Sequence, residues 1–109
     1  MAKKLSAYAT VLKIERDEQY VAFAAFYNND SVNKRAFLTM IAVSDSFRRQ
    51  GYGKLILESV ISYCKQSEMR YLALEVRKEN LGAIDFYKSF DFNIMLEKDN
   101  CYEMELKLS

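Results

Sequence analysis

Three apolar, strand-like runs fill the first 43 residues, and no helical period appears before residue 52. A chain that begins this way has to lay down sheet first and pack its helices onto it afterwards. AYATVLKIE (Ala7–Glu15) mixes β-branched and aromatic residues in partial alternation, the mark of a half-buried strand. DEQ is a short reversal. YVAFAAFY (Tyr20–Tyr27) is apolar at both parities and reads as a more buried strand. NNDSVNKR (Asn28–Arg35) is a polar loop. AFLTMIAV (Ala36–Val43) is a continuous apolar run, the pattern of a strand central in its sheet.

The second half alternates helices with strands. Tyr52, Ile56, Val60 and Cys64 recur four apart, with Leu57 and Ile61 beside them, which predicts an amphipathic helix to about Ser67. YLALEV (Tyr71–Val76) alternates as a strand. Ala83, Phe86, Tyr87 and Phe90 restore a helical period. FNIMLE (Phe92–Glu97) and YEMELKL (Tyr102–Leu108) are two further strands. The order β-β-β-α-β-α-β-β predicts one α+β (mixed α/β) domain over 1–109, its sheet mostly antiparallel with a strand–helix–strand crossover.

Charge and residue absences narrow the chemistry. Sixteen basic and fifteen acidic side chains leave a net charge of +1, which gives no electrostatic pull towards nucleic acid or an anionic membrane. No apolar run reaches the roughly 20 residues that span a bilayer. The start of the chain has no signal-peptide core, so a cytoplasmic location is expected. Cys64 and Cys101 make neither a disulfide framework nor a metal cluster. There is no histidine. Ser-His and Cys-His nucleophilic machinery and His-ligated zinc are excluded, and no metal is expected. Any proton transfer falls to Glu, Asp, Lys, Tyr or water.

Two of the three glycines stand one residue apart in FRRQGYG, at the entrance to the first helix. A helix start leaves amides without intrahelical partners and carries partial positive charge, and glycine lets an anion reach the backbone. Arg48 and Arg49 add positive charge. A phosphate cradle and a simple tight turn both fit this local pattern.

The wider pattern resembles the GNAT superfamily of acyl-CoA-dependent N-acyltransferases. MIAVSDSFRRQGYG is similar to that family's apolar strand followed by Q/R-x-x-G-x-G/A at a helix start, with Arg48, Gly51 and Gly53 at the signature positions. LEVRKENLGAIDFYKSFDF, Leu74 to Phe92, resembles a second family stretch through Asn80, Ala83, Tyr87 and Phe92. Its glutamate-to-tyrosine spacing is similar to that of ribosomal-protein N-terminal alanine acetyltransferases.

The resemblance implies acetyl-CoA as cosubstrate, direct acetyl transfer and a primary amine as acceptor: a peptide N-terminus, a lysine or a small amine. It implies that the main chain of Arg48, Arg49, Gln50, Gly51, Tyr52 and Gly53, running on to Lys54, holds the pyrophosphate. The edge of Met40, Ile41, Ala42 and Val43 would pair with the pantetheine arm, in a slot opened where the strand after the helix splays away. Asn80 would bond the cofactor's amides or the chain around it. A strand amide near Ile41–Val43 could meet the thioester oxygen as charge develops. Tyr87 is the acid candidate for the CoA sulfur, against a reading in which it is only core. Glu75 is the base candidate, against a reading in which it pairs with a surface cation.

Three departures stand against the family pattern. Arg49 and Asp91 occupy places where glycine is usual, and an Asp can adopt the left-handed conformation. The family's usual first strand and two helices, which wall the acceptor site, have no counterpart in the 47 residues before Arg48. An uncovered sheet edge and apolar face call for a homodimer or a partner protein. The alternative reading is a catalytically incomplete CoA-binding domain whose acceptor site a partner completes.

Overall fold

The computed structural model describes residues 9–109. Six strands form one sheet in the order β1-β2-β3-β4-β6-β5: β1 (Thr10–Arg16), β2 (Gln19–Tyr27), β3 (Arg35–Val43), β4 (Tyr71–Arg77), β5 (Asn93–Glu97) and β6 (Cys101–Lys107). The helices are α1 (Tyr52–Gln66) and α2 (Leu81–Lys88), and a short 3₁₀ turn spans Asp45–Phe47. Every pairing is antiparallel except β3 with β4. This is the mixed architecture that the order of apolar periods predicts. The Ala7–Tyr8 end of the first run lies outside the described residues.

Both helices cover the same face. Ile56, Leu57, Val60 and Cys64 of α1 and Ile84 and Tyr87 of α2 join one core with Ala24, Phe26, Leu38, Leu72, Leu74 and Met104 from the sheet. Burial of a large apolar side chain of this kind stabilises by about 1.5–3 kcal/mol each. The other face carries no helix among the described residues. Val11, Ala25 and Met40 lie side by side across three strands there, next to Phe23. Val11, Phe23 and Met40 remain exposed. The Tyr20–Tyr27 run is therefore apolar at both parities but packed chiefly at one. At the far edge, all five residues of β5 are exposed, and only its β6 side is paired.

An irregularity in β3 changes which side chains face inward. Ala25 pairs with Met40 and Phe26 with Leu38, so Thr39 has no partner opposite it. Its hydroxyl donates to the Ala25 carbonyl at 2.9 Å. Strict alternation from Ala36 and Leu38 would turn Met40 inward. The bulge reverses this, and Ile41 and Val43 pack on the core instead.

The two sites where the family pattern puts glycine are both left-handed, with φ of 65° at Arg49 and 72° at Asp91. An L-residue there is strained by about 1–2 kcal/mol, partly offset in a comparison with glycine by glycine's looser unfolded state. Asp91→Gly is accordingly expected to raise unfolding stability by a few tenths to about 1 kcal/mol, read by denaturant titration. Both cysteines are free thiols. Burial pushes the Cys64 thiol up to about 12, while Cys101 is partly exposed. A thiol-alkylating reagent at neutral pH should modify Cys101 and spare Cys64 until the chain unfolds, as peptide mass mapping would report.

Candidate active site

β3 and β4 run side by side for only four residue pairs, Arg35 with Tyr71 through Leu38 with Leu74. Past that point the strands fork. Met40–Val43 keeps its β2 neighbour but has no strand on its other side among the described residues. A cleft of about 820 Å³ occupies the helix-side mouth of the fork. Ile41, Ala42 and Val43 form one wall, Phe47, Arg48, Arg49, Tyr52 and Gly53 the end, and Gly82, Ala83 and Phe86 of α2 the opposite wall.

The loop into α1 leaves its main chain bare. Gly51 caps the helix with φ 86°, a conformation glycine adopts without a steric penalty, and no side chain among the described residues caps the start of α1. Among the described residues, the amides of Arg49, Gln50, Gly51, Tyr52, Gly53 and Lys54 donate to no acceptor. The Arg48 amide is committed to the 3₁₀ turn, donating to Asp45 at 3.4 Å, and its guanidinium pairs with Asp45 at 3.1 Å. A β-carbon on Gly53 would stand 3.8 Å from Val43 Cγ2 and 3.9 Å from Phe86 Cζ, at the floor of the cleft between its two walls. The Tyr52 ring is held from both sides. It stacks edge-on against Phe47, and its hydroxyl accepts from Arg16 at 3.1 Å.

The other candidates spread around this cleft. Met40 does not line it. Asn80 caps α2, its Oδ1 accepting from the Ala83 amide at 3.1 Å. That side-chain oxygen is taken by the chain itself. Tyr87 is a core residue whose ring packs edge-on against Phe86 and Phe92. Its hydroxyl has no protein partner among the described residues. Burial holds the phenol above its usual pKa of 10.0, which keeps it protonated.

Glu75 is the first β4 residue beyond the fork and lies on the helix-free side. It lines a second recess, of about 400 Å³, with Phe37, Thr39, Arg77, Asn100 and Cys101. Its carboxylate is ion-paired with Lys98 from the β5–β6 turn, and Lys98 also stands 3.8 Å from Glu103. Arg35 bridges Glu103 and Glu105 in turn. The two recesses flank the fork, one on the helix side and one on the open side.

Phe47, Gly82, Ala83 and Phe86 line the cleft without having been named as site residues from the sequence. The third glycine was the available signal: Gly82 sits two residues after the Asn80 cap, where a small side chain lets the helix face a cavity. Among the described residues, no group of three or more Cys, Asp or Glu side chains is placed to hold a metal ion, and no helix is long and apolar enough to cross a membrane.

A forked parallel pair beside a glycine-opened helix mouth is matched at the level of sequence. The acetyltransferase (GNAT) family model matches residues 3–92. The chain belongs to the GNAT family. It is 36% identical over 91 residues to the ribosomal protein bS18-alanine N-acetyltransferase of Salmonella typhimurium, a match covering 84% of this chain and 60% of that protein. The crystal structure of the Escherichia coli ribosomal-protein-S18-alanine N-acetyltransferase superposes with TM-score 0.82 at 28% identity, over 99% of this chain and 74% of that one. The PaiA N-acetyltransferase of Thermoplasma acidophilum, solved with coenzyme A, shares the fold at TM-score 0.82 and 17% identity, over 96% of this chain and 64% of that one. This GNAT chain spans between 53% and 60% of the length of the first curated relatives it matches.

The raised Tyr87 pKa has a definite sign. The unfolded chain loses this proton first as pH climbs, so the neutral phenol's contribution to stability is intact below about pH 10 and is lost as pH rises through the folded value. Tyr87→Phe should unfold within about 1 kcal/mol of the parent at neutral pH, since its hydroxyl takes no partner among the described residues. As pH climbs past about 10 the parent should lose more stability than the variant in chemical-denaturation titrations.

Proposed function

We propose that this GNAT chain transfers an acetyl group directly from acetyl-CoA to a primary amine, at a peptide N-terminus, a lysine or a small amine. The observation that carries the reading is the fork, because it frees a strand edge beside a helix mouth whose amides have no acceptor among the described residues. In this reading the amides of Gln50, Gly51, Tyr52 and Gly53, with that of Arg49, receive the pyrophosphate. The Arg48, Arg49 and Lys54 side chains add positive charge around it. The free edge of Ile41–Val43 takes the pantetheine amides as a neighbouring strand would, and Asn80 shapes the α2 wall through its cap.

The chemistry then falls at the fork. An acceptor ammonium gives a proton to Glu75, directly or through water, and the neutral amine attacks the thioester carbon. A main-chain amide near Ile41–Val43 meets the developing oxyanion. As the C–S bond breaks, Tyr87 supplies a proton to the CoA sulfur, and the raised pKa of its buried phenol keeps that proton available. No metal takes part. The free thiols of Cys64 and Cys101 accord with a reducing, cytoplasmic setting.

One observation favours a second reading, a CoA-binding domain completed by a partner. The helix-free sheet face leaves Val11, Phe23 and Met40 exposed, next to the Glu75 recess. A second copy of this chain or another protein would cover it. In the first reading, free thiol appears when the chain alone is given acetyl-CoA and a panel of amines. In the second, CoA raises the melting temperature without thiol release until another polypeptide is added.

CoA at about a hundred times its Kd should stabilise the chain by about 2.7 kcal/mol. Gly53→Ala separates binding from folding. The added methyl meets only ordinary contacts and improves helix propensity by up to about 1 kcal/mol, so the variant should melt no lower than the parent. The same methyl narrows the cleft floor, so the shift induced by CoA should shrink. Calorimetric melting with and without CoA reads both effects, and an undiminished CoA shift would remove the helix mouth from the proposal.

A further inference from the structure

We propose that the chain acetylates itself at Lys98. The inference rests on the acetyl-CoA reading and extends it to an acceptor held within the same chain. Lys98 is a primary amine on the β5–β6 turn, and its ammonium is bonded to Glu75, the first β4 carboxylate past the fork. An external amine in the proposed reaction would have to make that same contact. The flanking residues Asn100 and Cys101 line the Glu75 recess, so the turn carrying Lys98 is part of its wall.

The surroundings hold Lys98 in place without burying it. Glu103 stands 3.8 Å from its Nζ, and Glu103 is itself fixed by Arg35. Arg77 also lines this recess, but it is paired with Glu79 at 2.9 Å and leaves Glu75 to Lys98. Lys78 offers an internal contrast. It too is paired, with Glu97 at 2.6 Å, and it lies 5.4 Å from the Tyr102 ring centroid. Its partner Glu97 is on the outer strand β5 and lines no recess at the fork.

The step balances without a further reagent. The Lys98 ammonium passes a proton to Glu75. The freed amine forms an N–C bond to the acetyl carbonyl carbon, the thioester C–S bond breaks, and the surplus proton of the new amide nitrogen passes to the departing CoA thiolate. The products are CoA and Nε-acetyl-Lys98. The modified side chain is neutral, so its ion pairs with Glu75 and Glu103 disappear, and Glu75, once it has released its proton to water, becomes free to receive another amine.

The test is incubation of the purified chain with acetyl-CoA carrying a 13C-labelled acetyl group, followed by peptide mass mapping over time. Label is expected at Lys98 well ahead of Lys78. Glu75→Gln should slow Lys98 labelling on the order of a hundredfold, the usual contribution of a positioned base. Lys98→Arg, which keeps the charge, should remove that site while the melting temperature holds. Labelling of Lys98 no faster than Lys78, or at an unchanged rate in Glu75→Gln, overturns the proposal. Melting with CoA, run in parallel, separates the two levels. A CoA shift without Lys98 labelling defeats self-acetylation alone. No CoA shift defeats the acetyl-CoA reading and this inference with it.

Discussion

The parallel pairing between β3 and β4 ends after four residue pairs, and the two recesses exist because it does. A fifth and sixth pair would close the sheet over the ground where Ile41–Val43 meets the cleft and would draw Glu75 into a continuous ladder. The bulge at Thr39 lies one residue beyond the last of those pairs. It bends β3 and reverses its facing, which turns Ile41 and Val43 towards α1 and α2. The forking of the strands and the inward turn of the apolar residues thus begin at one place in the chain.

Backbone conformation does at the helix mouth what the bulge does in the sheet. Gly51 and Arg49 are both left-handed and separated only by Gln50, so the chain doubles back before α1 starts and its amides are presented rather than used. Arg49 accepts strain there and brings a cationic residue to the end of the cleft. Glycine would relax the backbone and remove that charge. At Asp91 the same left-handed geometry ends the α2 segment, where the residue lines no part of the helix-side cleft.

The order of elements was legible in the sequence because periodicity is local: Tyr52, Ile56, Val60 and Cys64 announce α1, and Leu72, Leu74 and Val76 announce β4. The helix mouth was legible because two glycines mark it. Several features were not. Alternation alone cannot place a bulge, so the sequence pattern groups Met40 with Ile41–Val43, although Met40 lies outside the cleft lining. Both parities of Tyr20–Tyr27 are apolar, and nothing local says which one the helices will cover. The Glu75–Lys98 pair joins β4 to the β5–β6 turn, 23 residues on, and no short motif records it. Asn80 spends its side-chain oxygen on capping α2, accepting from the Ala83 amide, a role that its place in the family pattern does not announce.

Because so few backbone pairs join them, β1–β3 with α1 and β4–β6 with α2 are two half-sheets hinged at one end and open at the other. The apolar layer beneath holds them together, while the open end has little main-chain bonding across it. A long, hydrogen-bonding molecule lodged there would act as a strut, supplying between the halves the rungs that the fold leaves out. Occupancy would then stiffen the molecule most along that seam, and the empty protein would breathe by widening it.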